Sequence, residues 1–251
     1  MSNHKFGIII PARFGSQRFP GKPLAEIGGT PMIVHTYNSA KKSSPTFGPV
    51  VATDDDRIAH VCESFNIPVV LTSPDCPSGT DRLQEAIEKL RWDVEIVVNI
   101  QGDEPFIQVE QIHKLIELFN NSATQISTLK KRIGKNKLLE NSNLVKVITD
   151  LNNRAIYFSR SIIPYNRNHR ETVYFRHLGL YAYRTGVLAE ITKLAPSELE
   201  LTEMLEQLRW LENGYHIAVG TTEFESPAVD TPADLEKAEE YYSKLSSNSI
   251  G

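Results

Sequence analysis

Ile8-Ile9-Ile10-Pro11-Ala12-Arg13-Phe14-Gly15-Ser16-Gln17-Arg18-Phe19-Pro20-Gly21-Lys22-Pro23-Leu24 is the stretch on which the reading of this chain turns. The apolar run 6–10 predicts a fully buried strand, and Pro11 ends it because proline cannot donate to a sheet ladder. The residues beyond Pro11 include Arg13, Arg18 and Lys22 together with Gly15 and Gly21. Fixed cations on a glycine-bearing loop, with backbone N–H groups beside them, form a cradle suited to a triphosphate. In open α/β sheets ligands gather outside the carboxyl ends of the strands, so the loop is also well placed. Its spacing matches neither the P-loop nor the dinucleotide fingerprint. Judged by charge alone, an ordinary solvated βα loop is the better fit.

Outward from this stretch, strand and helix patterns alternate. Thr30 and Pro31 read as N-cap and first helical residue of a helix that continues with Met32-Ile33-Val34. Strands come at 50–52, 68–71 and 94–100, with helices at 55–65, from Thr80 to about 91, and at 109–119. Such βαβα order predicts an α/β fold, Rossmann-like, with a mostly parallel central sheet and helices on both faces. Beyond residue 121 the pattern changes to a strand at 126–132 and a hairpin, 145–149 with 155–159, around Asp150-Leu151-Asn152-Asn153. A polar excursion at 165–170 and a strand at 178–183 complete an inserted β-rich block over about 122–185, read as a lid or dimerisation surface on a single domain, 1–251. Ser197-Glu198-Leu199-Glu200 has capping-box form and opens one helix to Gly214, with Leu201, Met204, Leu205, Leu208 and Leu211 as its apolar stripe. A strand at 215–219, a last helix capped by Thr231-Pro232-Ala233-Asp234 and a frayed tail at 246–251 end the pattern.

Composition narrows the class. The 251 residues can bury a substantial core. A formal charge of −4 speaks against a nucleic-acid binder with a broad basic face, while leaving room for a local nucleotide site. Cys62 and Cys76 are spaced neither as a metal pair nor as a staple for a fold this size. His4, His113 and His169 form no metal set, and Asp54-Asp55-Asp56 reads as acids at a helix start. The absence of a signal-peptide h-region and of an apolar run near ~18 residues leads to the expectation of a cytoplasmic protein with no membrane insertion.

Three further segments can carry chemistry. Gln101-Gly102-Asp103-Glu104-Pro105 comes directly after a buried strand, and its acids beside a cationic phosphate loop suit Mg²⁺, a hard cation. Asp230, just before a capped helix, is either compensation for the helix dipole or a second carboxylate for that metal. Spacing leaves both open. Ser78-Gly79-Thr80-Asp81-Arg82 is explained by Thr80 as a helix cap, or by contacts to a nucleobase. Glu203 and Gln207, at i and i+4 opposite the leucine stripe, read as a solvated helix face. Tyr157-Phe158-Ser159-Arg160 and His177-Leu178-Gly179 bracket the inserted block, where a lone Arg or His is more often structural.

Taken together, PAR at 11–13, RFPGKPL at 18–24, PMIVH at 31–35, VATDDDRI at 51–58, SGTDR at 78–82 and QGDEP at 101–105 resemble the 3-deoxy-manno-octulosonate cytidylyltransferase family. VKV at 145–147, YFSRSIIP at 157–164, HLGLYAYR at 177–184, EMLEQLR at 203–209 and VDTP at 229–232 extend the resemblance in order over nearly the whole chain. The resemblance implies a nucleotide-diphospho-sugar transferase fold that couples CTP with the sugar acid Kdo, giving CMP-Kdo for lipopolysaccharide synthesis and pyrophosphate, with Mg²⁺. Carried over by position, Arg13 and Lys22 stabilise the triphosphate while Asp103 and Asp230 hold the metal. Pro11, Ala12, Gly15, Ser16, Ser78, Gly79, Thr80 and Arg82 join Arg13 and Lys22 in contacting the nucleotide. Gln101, Arg160, His177, Tyr181, Glu203 and Gln207 contact the sugar acid, and a homodimer is expected. Thr30 departs from the Lys that many relatives carry, outside the phosphate cluster. The rivals are cytidylyltransferases for 8-amino-Kdo or sialic acid, and a non-catalytic nucleotide-binding protein.

Overall fold

A computed structural model describes residues 4–15, 18–134, 138–225 and 227–248. Its contacts divide the chain into two units, one built on Lys5–Ile112 and rejoined by the chain from Glu225, the other His113–Phe224.

In the first unit, β1 (Phe6–Ala12) is buried at every position and runs on through Pro11, paired opposite Ala52, rather than ending there as expected. Branched aliphatic side chains with no polar alternation suit a strand covered on both faces. A short antiparallel hairpin, β2 (Glu26–Ile27) with β3 (Thr30–Pro31), turns through Gly28 and Gly29, both at positive φ, and leads into α1 (Met32–Lys41). Thr30 and Pro31 therefore pair as a strand, and the helix starts at Met32 rather than after a Thr30 cap. Then come β4 (Phe47–Thr53), α2 (Asp56–Ser64), β5 (Val69–Leu71), α3 (Gly79–Leu90) and β6 (Ile96–Asn99). The four strands β6, β1, β4 and β5 run parallel in that order. This is the α/β sheet that the alternating pattern predicts.

α4 (Val109–Glu117) carries the chain onward. The second unit holds β7 (Ile126–Arg132), β8 (Lys146–Thr149), β9 (Ala155–Ser159), β10 (Phe175–Arg184), α5 (Thr185–Ile191), α6 (Glu198–Glu203), α7 (Gln207–Glu212) and β11 (Ile217–Thr221). β7 pairs antiparallel with β10 and parallel with β11, while β8 and β9 form the expected hairpin. Asp150 Oδ1 accepts from Asn152 N and Arg154 N, both at 2.8 Å, and this Asx turn reverses the chain.

One element departs from expectation. Glu200 does return a carboxylate to Ser197 N at 3.1 Å, but the helix ends at Glu203. Met204 takes φ 53° and a second short helix begins at Gln207. The predicted stripe is split accordingly: Leu205 and Leu208 are buried, whereas Leu201 and Met204 are exposed. α8 (Pro232–Asn248) closes the chain in the first unit, where Thr231 and Asp234 cap it reciprocally. Among the described residues no helix is long and apolar enough to cross a membrane.

Candidate active site

The loop after β6 is held from below by α1. Thr36 Oγ1 donates to Gly102 O at 3.2 Å and Ser39 Oγ donates to Pro105 O at 2.9 Å. Gly102 is pressed against β1: a Cβ there would lie 3.2 Å from Pro11 O. Only glycine lets the two backbones approach so closely without a shift. Asp103 thus stands at the carboxyl end of the sheet on a loop with little freedom. Its own carbonyl accepts from Val229 N at 3.0 Å, which draws in the segment before α8. Behind that segment Val229, Phe106, Ile27, Met32 and Ala238 form a buried cluster, so Asp230 is delivered to Asp103 by packing.

Lys22 lies between the two acids. Its Nζ is 2.5 Å from Asp103 Oδ2 and 3.1 Å from Asp230 Oδ1, with Arg18 a further 3.4 Å from Asp230. Burial alone would lower the Lys22 pKa, but the two carboxylates outweigh it and hold the ammonium above its ordinary value. Asp230 therefore faces the cationic loop at Lys22 as well as preceding a helix.

The second predicted nucleotide segment sits beside the first strand. A Cβ on Gly79 would meet Pro11 Cγ at 3.6 Å and the Gln101 amide at 3.7 Å. Ser78, not Thr80, caps α3, accepting from Thr80 N and Asp81 N; Thr80 itself is buried inside the first turn. Arg82 is also buried, and its guanidinium is engaged by Thr72 Oγ1, Ser73 O and Asp54. Pro11 and Ala12 are buried at the strand end, while Arg13 and Gly15 are exposed. Ser16 lies outside the described residues.

Of the predicted sugar contacts, Gln101 belongs to the first unit and donates to Asn99 Oδ1 at 3.3 Å. The others belong to the second. Arg160 donates to the carbonyls of Glu203, Ser142 and Met204. Glu203 in turn accepts from Ser159 Oγ at 2.5 Å and from Arg160 N at 2.9 Å. The solvated helix face expected for Glu203 and Gln207 is therefore corrected: one carboxylate is bonded into the β9 terminus and Gln207 is 6% exposed. His177 Nε2 is 2.9 Å from Thr128 Oγ1, and its ring lies against Phe158 and Tyr181. Burial, reinforced by the charge of Arg176, pushes the imidazole down to about 3. Among the described residues no cluster of three or more metal-binding side chains occurs.

Cytidylyltransferase is the family whose pattern matches residues 7–224. A 3-deoxy-manno-octulosonate cytidylyltransferase of Parabacteroides distasonis is 50% identical over 244 residues, covering 93% of this chain and 96% of its own. The chain belongs to the 3-deoxy-manno-octulosonate cytidylyltransferase family. A solved structure described as CMP:2-keto-3-deoxy-manno-octonic acid synthetase complexed with CTP agrees with a TM-score of 0.91 at 39% identity, covering 96% of this chain and 99% of that one. An 8-amino-3,8-dideoxy-manno-octulosonate cytidylyltransferase of Shewanella sediminis is 45% identical over 235 residues, covering 92% and 96%. In this cytidylyltransferase the supporting hydroxyls Thr36 and Ser39 escaped sequence reasoning. Their signal was present as two polar residues three apart in the buried stretch of α1, which places them on one helix face.

Proposed function

We infer that this cytidylyltransferase transfers CMP from CTP to the anomeric hydroxyl of Kdo, giving CMP-Kdo and releasing pyrophosphate. The hydroxyl oxygen attacks the α-phosphorus, the bond to the β-phosphate oxygen breaks, and the hydroxyl proton leaves to solvent. The observation that carries the reading is Lys22 Nζ between Asp103 and Asp230, residues 81 and 208 positions away in the chain. Lys22 and Arg13 supply fixed positive charge to phosphate oxygens as the transition state forms. Gly79 beside Pro11 and Gln101 supports a cytosine contact at the neighbouring position, which the buried, internally bonded Arg82 does not reach.

The donor set fits Mg²⁺. Two carboxylates already converge on one cationic group, and a hard ion takes one or two such ligands beside substrate phosphates. Asp103 and Asp230 would hold it, and when bound it supplies charge neutralisation and a lower pKa for the attacking hydroxyl. Among the described residues no His or Lys other than Lys22 is bonded to either acid, so we assign no side-chain base. Kdo is preferred over its 8-amino analogue because identity is higher to relatives named for Kdo, 50% against 45%. A cytoplasmic homodimer belongs to the same proposal. Its support is the exposed apolar set of the second unit, including Ile156, Ile162, Tyr165 and Met204.

Pyrophosphate release with CTP and Mg²⁺ is measured in parallel with Kdo, 8-amino-Kdo and N-acetylneuraminate. Fastest turnover with Kdo is expected. Preference for either other acceptor overturns the substrate, and CTP binding without turnover on any of them overturns the enzyme reading.

A further inference from the structure

The start of α2 reaches the phosphate loop through one side chain. Asp55 caps the helix by accepting from Arg57 N at 3.0 Å, and the same carboxylate takes Arg57 Nε at 2.9 Å and Nη2 at 2.6 Å. That grip fixes the guanidinium plane, and the plane lies over the Phe14 ring with Cζ 3.3 Å from the ring centroid. Phe14 is also pressed by Gly21, where a Cβ would fall 2.9 Å from the ring's Cζ. Gly21 has φ 71° and donates its N–H to Phe14 O at 2.9 Å. Phe14 and Gly21 therefore close the loop at its base. One comes immediately after Arg13 and the other immediately before Lys22.

An exposed ion pair such as Asp55–Arg57 contributes little to stability by itself. What it does here is orient a flat cation on an aromatic face, a contact a lysine cannot reproduce because it lacks the planar fork. We propose that Arg57 is a positioning residue for the nucleotide: by clamping Phe14 it holds the loop base closed and sets the spacing at which Arg13 and Lys22 meet the triphosphate. The proposal rests on the reading of this loop as the triphosphate site. Asp54-Asp55-Asp56 then does more than start a helix, since its central acid is the anchor of the clamp.

The test is a double-mutant cycle read in steady-state kinetics. Arg57→Gln keeps the backbone cap of α2 and Phe14→Leu keeps an apolar side chain, so both fold, as matching thermal melts verify. Each is expected to raise KM for CTP by about fivefold, the scale of one exposed cation–ring contact. The values of kcat and of KM for the sugar acid stay within about twofold, a split that a general loss of structure would not produce. The double variant is no worse than either single one, because both break one contact. Arg57→Lys falls with Arg57→Gln, and Phe14→Tyr behaves as the parent protein. Effects that multiply in the double variant overturn the clamp, since Arg57 would then meet phosphate on its own. Unchanged KM in both single variants overturns it as well. Lys22→Met, run alongside, separates the two levels: if it too leaves kcat and KM intact, the triphosphate reading itself is lost, whereas its impairment beside unaffected clamp variants removes the clamp alone.

Discussion

Replacing Lys22 by Met should move two observables in opposite directions. The Lys22 side chain is 14% exposed and its ammonium is shared by both acids, at 2.5 and 3.1 Å. In the proposed reaction it is a fixed donor to the triphosphate, and the loss of one such contact costs roughly 10²–10³-fold in kcat. If Asp103 and Asp230 hold the metal as proposed, the same ammonium competes with the divalent ion for them in the free protein. Even with the dielectric of bulk water, a divalent ion about 6 Å from an ammonium is disfavoured by about 1.4 kcal/mol, a factor of about ten. Direct contact with the carboxylates adds to that floor. Lys22→Met is therefore expected to bind Mn²⁺, used as the paramagnetic stand-in for Mg²⁺, at least about tenfold more tightly without CTP, while pyrophosphate release falls by about two orders of magnitude. Electron paramagnetic resonance of free Mn²⁺ measures the first and a coupled phosphate assay the second. Unchanged or weaker Mn²⁺ binding refutes the competition, and near-parental kcat refutes the catalytic role.

Asp103→Asn should lower kcat by at least ~10²-fold and weaken Mn²⁺ binding, since a neutral amide is a poor partner for a hard cation; equal Mn²⁺ affinity in calorimetry refutes the ligand assignment. His177 has a pKa depressed below its unfolded value, so the fold favours the neutral ring. The stability it confers is complete above about pH 6.5 and is lost as pH falls towards 3. Its imidazole signals in NMR should stay constant from about pH 8 to 5, and a midpoint near 6.5 refutes the burial argument. Glu85 is affected the same way for a different cause. Burial raises its pKa, but Lys89, the Cys76 thiol and Ser73 N outweigh that and bring it down to about 2. Its contribution is present above about pH 4.5 and disappears as pH falls towards 2. Glu85→Gln should flatten the loss of denaturant resistance over that range, and an unchanged acid limb contradicts the assignment.

How much was legible in the sequence depends on where each signal is stored. β7 was read with its observed bounds, Ile126–Arg132. Asp103 was legible as an acid at the end of a buried strand. Asp230 was ambiguous, since what brings it to Lys22 is the Val229–Asp103 backbone bond and the packing of α8, neither of which leaves a local trace. The single helix expected over 197–214 failed for a related reason. Its 3.6-residue period is real, but Arg160 takes the carbonyls of Glu203 and Met204, and the backbone turns left-handed at Met204. Periodicity records which face is apolar and not which carbonyls a distant arginine will claim. Gln207 was misplaced outside for the same cause.

The bond from Val229 N to Asp103 O brings a segment near residue 230 to an acid and a lysine that lie within the first 103 residues. During synthesis the parallel strands, Lys22 and Asp103 emerge well before their last partner. A chain interrupted between Asp103 and Asp230 thus keeps the cation-bearing loop and the first acid but lacks the second, so under the proposed function an unfinished translation product is inactive from the outset.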